Sequence, residues 1–321
     1  MSFSTDVKGE LSRLNSNKKC CMLAEIAGFL RVSGSVKLAG NGKFSIVAST
    51  EIASVARRYK QLLKDYFAIN ADIGIGDSRM PGRKGRNRYY LTITPDEKSE
   101  QILRETGIML VKEGTDYLSD GIFTPIVKSK CCKKSYIRGL FMACGSVSDP
   151  RKRYGMEFVM ESEQTASDLK KLIGTFRDLS ANITTRKNTH IVYIKKIQYI
   201  SDMLGIIGAD DALLELENIA IGKEIHGEAS RILNCDNANV DRTIAASEEQ
   251  LQNIRLIEEL DSIDNLPLPL REVVEERLKK PEAGLAEIGE SLSKPIGKAA
   301  VSKRFARIAE VAKNLCKNKT L

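Results

Sequence analysis

Residues 19–36 read KCCMLAEIAGFLRVSGSV, and residues 130–147 read KCCKKSYIRGLFMACGSV. A constant offset of 111 pairs Lys19 with Lys130, Cys20 with Cys131, Cys21 with Cys132, Gly28 with Gly139 and Gly34 with Gly145. A match of this length implies two copies of one unit, related by a pseudo-two-fold axis. Both stretches carry helical periodicity. Leu23, Ile26, Ala27 and Leu30 fall at i, i+3, i+4 and i+7, and Ile137, Leu140 and Phe141 repeat the spacing. Gly34 and Gly145 stand where such helices should stop.

Outward from these helices the two copies stay parallel. Strand patterns follow at Phe44–Ala48 and Met156–Met160. Second helices are expected near 51–67 and 163–179, where Ala53-Ser54 and Ala166-Ser167 match at offset 113, a short indel away from the first register. Strand pairs follow at 72–75 with 89–93, and at 182–185 with 191–194. Closing helices are expected near 97–110 and 197–204. The unit is therefore α-β-β-α-β-β-α, twice, in repeats of about 19–115 and 130–222, and the fold class is α+β. Residues 223–246 are polar and read as a linker with helical parts. From 247 to 321 the pattern is all-helical, with Ser247 as a candidate N-cap, a break at Asp264–Leu270, and helices near 270–278, 285–292 and 299–315.

Composition narrows the function classes. The chain has 321 residues, 42% of them apolar and 29% charged, enough for two or three domains. No stretch reaches the ~18 apolar residues of a membrane span, and MSFSTDVKGEL has no signal-peptide pattern. A cytoplasmic location with reduced cysteines is expected. Cys20–Cys21 and Cys131–Cys132 are adjacent pairs rather than CxxC, and His190 and His226 are the only histidines. Read pair by pair, these cysteines are small buried residues near helix starts, and neither a metal site nor a cofactor is expected. The net charge of +8 favours a polyanionic partner. Residues 277–321 hold 11 Lys/Arg against 4 Asp/Glu, whereas 248–276 hold 9 acids against 2 bases. An acidic stretch therefore precedes a basic terminal module.

The paired helices resemble the core motif of LAGLIDADG homing endonucleases, carried by Ile26–Gly34 and Ile137–Gly145. The resemblance implies that the two helices pack at the pseudo-dyad, with Gly28 and Gly139 allowing close backbone approach. It also implies an acidic metal ligand just before the final glycine. Here those positions hold Ser33 and Cys144, and the earlier acidic position holds Arg31 and Met142. Neither Ser nor Cys suits Mg²⁺, which takes hard oxygen ligands. Two-metal cleavage needs carboxylates at that spot. The expectation is a nuclease scaffold without the reaction; a relocated metal-dependent endonuclease site and a protein-recruiting adaptor are the alternatives.

Basic groups mark where phosphates would be met. The hairpin loop 79–88 carries Arg79, Arg83, Lys84, Arg86 and Arg88, five basic residues in ten. Arg151, Lys152 and Arg153 form a second basic turn, and Arg186 and Lys187 a third. Such contacts would be salt-sensitive and blind to base sequence. In the terminal module, Leu285, Ile288 and Leu292 stripe one helix and Val301, Phe305, Ile308 and Ala312 the next, with Ser293–Lys298 between. That arrangement reads as helix-turn-helix. On a helical wheel Lys303 and Arg307 point away from the core, Ser302 and Arg304 flank them, and Lys298 opens the helix.

Degenerate LAGLIDADG-like repeats followed by a helix-turn-helix resemble the WhiA family of bacterial proteins. The residues that carry the resemblance are Ser2–Leu11, the two motif helices, Asn234–Asn239, Leu268–Glu272, Glu287–Leu292 and Val301–Ile308. The chain departs from the family at Lys298-Ala-Ala, where a polar residue is more usual. The resemblance implies a nucleoid-associated protein that binds double-stranded DNA and regulates transcription in cell division and chromosome segregation. Beyond the resemblance, the repeat domain is a candidate surface for a protein partner, and no small-molecule substrate or membrane partner is expected.

Overall fold

A computed structural model describes residues 2–16, 18–40, 42–77 and 87–319. The chain divides into two compact units, residues 1–222 and 223–321. In the first unit, α1 (Phe3–Leu11) precedes the first copy: α2 (Lys19–Ser33), β1 (Gly34–Gly40), β2 (Lys43–Thr50), α3 (Ala53–Phe67), β3 (Asp72–Asp77), β4 (Asn87–Ile93) and α4 (Ser99–Glu105). A hairpin of β5 (Met109–Lys112) and β6 (Thr115–Leu118) follows. The second copy is α5 (Lys130–Cys144), β7 (Gly145–Val147), β8 (Met156–Met160), α6 (Glu163–Ile173), β9 (Asn182–Arg186), β10 (Thr189–Ile194) and α7 (Ile197–Ile207). Both four-stranded sheets are antiparallel, in the orders β1-β2-β4-β3 and β7-β8-β10-β9. The doubled α-β-β-α-β-β-α order and the α+β class are thus observed.

Each motif helix runs into its first strand without a loop. Gly34 and Gly145 cap α2 and α5 in an extended conformation, with ψ of 137° and 151°, and pairing begins at once. A Cβ on Gly34 would sit 2.5 Å from the Leu30 carbonyl oxygen, so the corner admits only glycine. One apolar core fills the unit. Ile26, Ala27, Phe29, Ile137, Leu140 and Phe141 lie at its centre with no exposure, and Phe29 stacks on Tyr59 of α3 at 3.6 Å between centroids.

Several sequence-based expectations change: α6, expected to reach 179, already stops at Ile173. The closing helix of the first copy is shorter than 97–110, because Gly107 takes φ +66° and the β5–β6 hairpin begins two residues later. The second closing helix extends to Ile207 and stops at Gly208, φ +87°. Residues 223–246 lie inside α8 (Asp210–Leu260), a helix of 51 residues. The stretch is polar but contains no proline, and polarity alone does not break a helix. Ser247 is accordingly inside α8 rather than its cap, and its hydroxyl donates to the Pro281 carbonyl.

The second unit adds α9 (Leu268–Lys279), α10 (Leu285–Ser291) and α11 (Lys298–Lys319). Its core joins Ile254 and Ile257 of α8 to Val273 and Val274, Ile288, and Val301, Phe305 and Ile308. Arg277, only 1% exposed, is buried among them. Its guanidinium donates to Gln250 Oε1 at 2.9 and 3.0 Å and to the Ala283 carbonyl at 2.6 Å, and it lies over the Phe305 ring. Those acceptors and the ring offset the cost of burying its charge.

Candidate nucleic-acid interface

In α10 and α11 the turn spans Leu292–Gly297. The Ile296 N–H donates to the Gly289 carbonyl at 3.0 Å and folds the turn onto α10. A Cβ on Gly289 would overlap the Ile296 carbonyl and meet Val301 Cγ2 at 2.9 Å, so glycine sets how closely turn and helix pack. Val301, Phe305, Ile308 and Ala312 are buried, which fixes the rotation of α11 about its axis. Lys298, Ala299, Ala300, Ser302, Lys303, Ala306 and Arg307 are then exposed together. Small residues between cations let a helix come close to a polyanion without steric bulk.

Arg304 differs from its neighbours. It is half-buried, donates to the Pro269 carbonyl at 3.1 Å and faces Glu272 at 3.9 Å. It ties α11 to α9, so the structure moves it from the outward group to the scaffold. The wheel placed it on the flank but could not show that α9 supplies an acceptor there.

The basic segments of the repeat unit have unequal fates. Arg79, Arg83, Lys84 and Arg86 lie outside the described residues; Arg88, in β4, is half-buried. Arg151 pairs with Glu215 of α8 at 2.8 Å, and Arg153 Nε donates to Ser148 Oγ at 3.2 Å. Lys152 is exposed. Arg186 and Lys187 are exposed at the tip of the β9–β10 hairpin, where Lys187 adopts φ +54°.

At the pseudo-dyad, α2 and α5 cross with almost no side chain between them. A Cβ on Gly28 would overlap the Tyr136 carbonyl oxygen, and one on Gly139 would overlap that of Glu25 and sit 2.9 Å from Phe29 N. Beside the crossing, the fully buried Glu25 carboxylate receives Arg58 at 2.5 Å from α3 and Arg138 at 3.0 Å from α5. Arg58 also donates to the Leu14 carbonyl, and Arg138 to the Ile207 carbonyl at 2.9 Å. This network joins both copies, and sequence reasoning missed it because its members lie far apart along the chain, in α2, α3, α5, α7 and the segment before α2.

At the C-terminal ends of α2 and α5 stand Ser33 and Cys144, neither of them a carboxylate. Ser33 Oγ donates back to the Phe29 carbonyl at 2.7 Å, and Cys144 Sγ to the Leu140 carbonyl at 3.3 Å. Arg31 reaches across to the Ser119 and Gly107 carbonyls at 2.6 and 2.8 Å and pins the ends of the β5–β6 hairpin. Met142 is buried. Lys8 of α1 approaches Cys144 and the Phe141 ring; burial pushes its ammonium down to about 8 and the Cys144 thiol up to about 12. A cation therefore stands close to one of the two positions where a nuclease would place acids.

At the opposite ends of these helices the four cysteines come together. Cys20, Cys21, Cys131 and Cys132 have all their Sγ atoms within 4.8 Å of one another. Among the described residues this is the only gathering of three or more His, Cys, Asp or Glu donors. Ser129 Oγ lies 3.2 Å from Cys131 Sγ. The Ser129 hydroxyl and then Cys21 hold the Cys131 thiol down at about 7, while burial raises Cys21 to about 12. In the sequence the two pairs stand 111 residues apart, and the repeat is the signal that joins them.

Comparison with known proteins follows the same order along the chain. The model of the WhiA N-terminal LAGLIDADG-like domain matches residues 19–109, and that of the WhiA LAGLIDADG-like domain matches 133–226. The model of the WhiA C-terminal HTH domain matches 229–312. The chain belongs to the WhiA family. It is 39% identical over 313 residues to the "Probable cell division protein WhiA" of Alkaliphilus metalliredigens, covering 97% of this chain and 98% of the relative. To the protein of that name from Thermoanaerobacter sp. (strain X514) it is 41% identical over 320 residues, covering 98% of each. The crystal structure of full-length DUF199/WhiA from Thermatoga maritima superposes with a TM-score of 0.61 at 25% identity, over 98% of this chain and 99% of that one. The WhiA fold thus accounts for both units, the doubled LAGLIDADG-like repeat and the helix-turn-helix module.

Proposed function

We propose that this WhiA-family protein is a non-enzymatic, double-stranded-DNA-binding regulator of transcription that serves bacterial cell division and chromosome segregation at the nucleoid. The observation that carries the reading is the outward face of α11. Lys298, Ser302, Lys303 and Arg307 are exposed on one side of a helix whose other side is locked into a core, and none of these cations is engaged by another described residue. The names of the curated relatives supply the link to cell division. The self-directed Ser33 and Cys144, with Lys8 beside Cys144, support the absence of a cleavage reaction. In this reading residues 1–222 are the repeat domain and 247–321 the DNA-binding domain, with helical residues 223–246 between them. Arg79, Arg83, Lys84, Arg86, Arg88, Arg151, Lys152, Arg153, Arg186 and Lys187 add phosphate contacts, and the repeat domain recruits a partner protein.

Duplex titration across salt tests the reading. Removing one phosphate-binding cation should flatten the slope of log K against log salt by about 0.9. Lys303→Ala and Arg307→Ala should each flatten it by that amount and together weaken binding at least about tenfold. Arg304→Ala should leave the slope nearly unchanged. Affinity that is flat with salt, or unaffected by the double substitution, would refute DNA recognition by α11. Nicking of supercoiled DNA in Mg²⁺ or Mn²⁺ would refute the non-enzymatic assignment.

A further inference from the structure

We propose that Cys20, Cys21, Cys131 and Cys132 form a tetrathiolate site for one zinc-class divalent ion, which clamps the N-terminal ends of the two motif helices at the pseudo-dyad. The geometry is nearly assembled: four Sγ atoms lie within 4.8 Å of one another. A tetrahedron with Zn–S bonds of about 2.3 Å needs sulfur separations of ~3.8 Å. The remaining contraction is within reach of side-chain rotation, because Cys20 is exposed and Cys131 only half-buried. Cys21 and Cys132 are buried and hold the inner half of the site.

Neither copy can make this site alone. Adjacent residues on a helix point about 100° apart, so each helix offers two thiols that diverge unless a second pair faces them. Thiol contacts bridge the two copies, Cys21 with Cys131 and Cys20 with Cys132, and Cys131 also meets Cys132 within its own helix. A purely space-filling role explains the buried pair but not the exposed Cys20, which fills no core. The ligand set is all sulfur, which selects zinc-class ions over Mg²⁺ or Ca²⁺.

The surroundings suit a dianionic centre. All four residues sit in the first turns of α2 and α5, where the positive end of a helix dipole favours thiolate. Ser129 caps α5 and its hydroxyl touches Cys131 Sγ, as outer-shell groups do around metal ligands. Lys18, Lys19, Lys130 and Lys133 flank the two pairs in sequence. Binding forms four Zn–S bonds and releases the four thiol protons to solvent, leaving a net charge of −2 on the centre. The ion does no chemistry on a substrate; it fixes the crossing that Gly28 and Gly139 permit.

The test uses the full chain, purified with reductant and stripped of metal. Co²⁺ titration should give the ligand-field and sulfur-to-cobalt charge-transfer bands of a tetrahedral thiolate site, saturating at one equivalent and bleached by Zn²⁺. Zn²⁺ should also shield these four thiols from a thiol reagent. Cys20→Ser and Cys131→Ser, placed at accessible positions so that the fold survives, should each weaken the ion on the order of 100-fold. Cys235→Ser should bind as the parent does. Absence of the cobalt bands from folded, fully reduced protein would overturn the proposal, as would bands that persist in Cys20→Ser. Disulfides linking the two pairs in protein alkylated directly from cells would overturn it as well.

Discussion

Replacing Gly139 by alanine places one methyl group at the pseudo-dyad. Its Cβ would lie 2.9 Å from Phe29 N and overlap the Glu25 carbonyl oxygen. Both obstacles are backbone atoms of α2, and backbone cannot rotate aside as a side chain does. The helices must therefore move apart. Overpacking of this kind costs about 1–3 kcal/mol. Separation also lengthens the 3.0 Å Arg138–Glu25 bridge, and loosening a buried charge pair adds to the cost. Against these stands a gain of about 1 kcal/mol from alanine's helix propensity. The expected net is a destabilisation of about 2 kcal/mol, which for a unit of this size lowers Tm by roughly 4–8 °C. Thermal unfolding followed by circular dichroism measures it, with Gly9→Ala as control, since a Cβ on Gly9 meets nothing within 4 Å. Gly9→Ala should be neutral or slightly stabilising. If Gly139→Ala melts like Gly9→Ala, the helices do not cross at this glycine and the argument fails.

Three further outcomes follow from the same geometry. Glu25→Gln leaves two buried guanidinium groups, Arg58 and Arg138, without their counter-charge and should cost about 3–5 kcal/mol in urea-induced unfolding; a loss under about 1 kcal/mol would contradict the buried network. Lys8 titrates near 8 when folded against an ordinary 10.5, so between those values the unfolded chain binds more protons and stability rises with pH. The penalty on charged Lys8 is fully present below pH 8 and worth up to about 3 kcal/mol. Lys8→Met should therefore be more stable than the parent at pH 7 and should lose that rise, as denaturation at pH 7 and pH 10 will show. Gly289→Ala drives a methyl into the Ile296 carbonyl and should destabilise the helix-turn-helix unit by about 2 kcal/mol, with duplex affinity falling as that unit melts; unchanged melting would contradict the close packing of turn and helix.

Much of this was legible in the chain because the information was local or repeated. Helical periodicity, the glycine corners at 34 and 145, and the strand patterns each depend on neighbours within a few residues. The apolar stripes of α10 and α11 likewise turn Lys303 and Arg307 outward by periodicity alone. The misreadings have a common cause. The length of α8 was hidden because polar residues report solvation rather than helix breaking. Arg304 was misplaced because its acceptor comes from α9, 35 residues away in sequence.

Residue identity and spacing were enough to show two copies of one unit. That their helices pack at the pseudo-dyad, and that Ser33 and Cys144 stand where acids would be placed, came from the resemblance to LAGLIDADG endonucleases. Only the tertiary structure decided which side chains meet: Glu25 between two arginines, Lys8 beside Cys144, and four cysteines from two distant pairs in one cluster. Those meetings depend on the angle and offset at which α2 and α5 cross. The crossing is a sum of many interactions, each weak by itself, and no single stretch of sequence contains it.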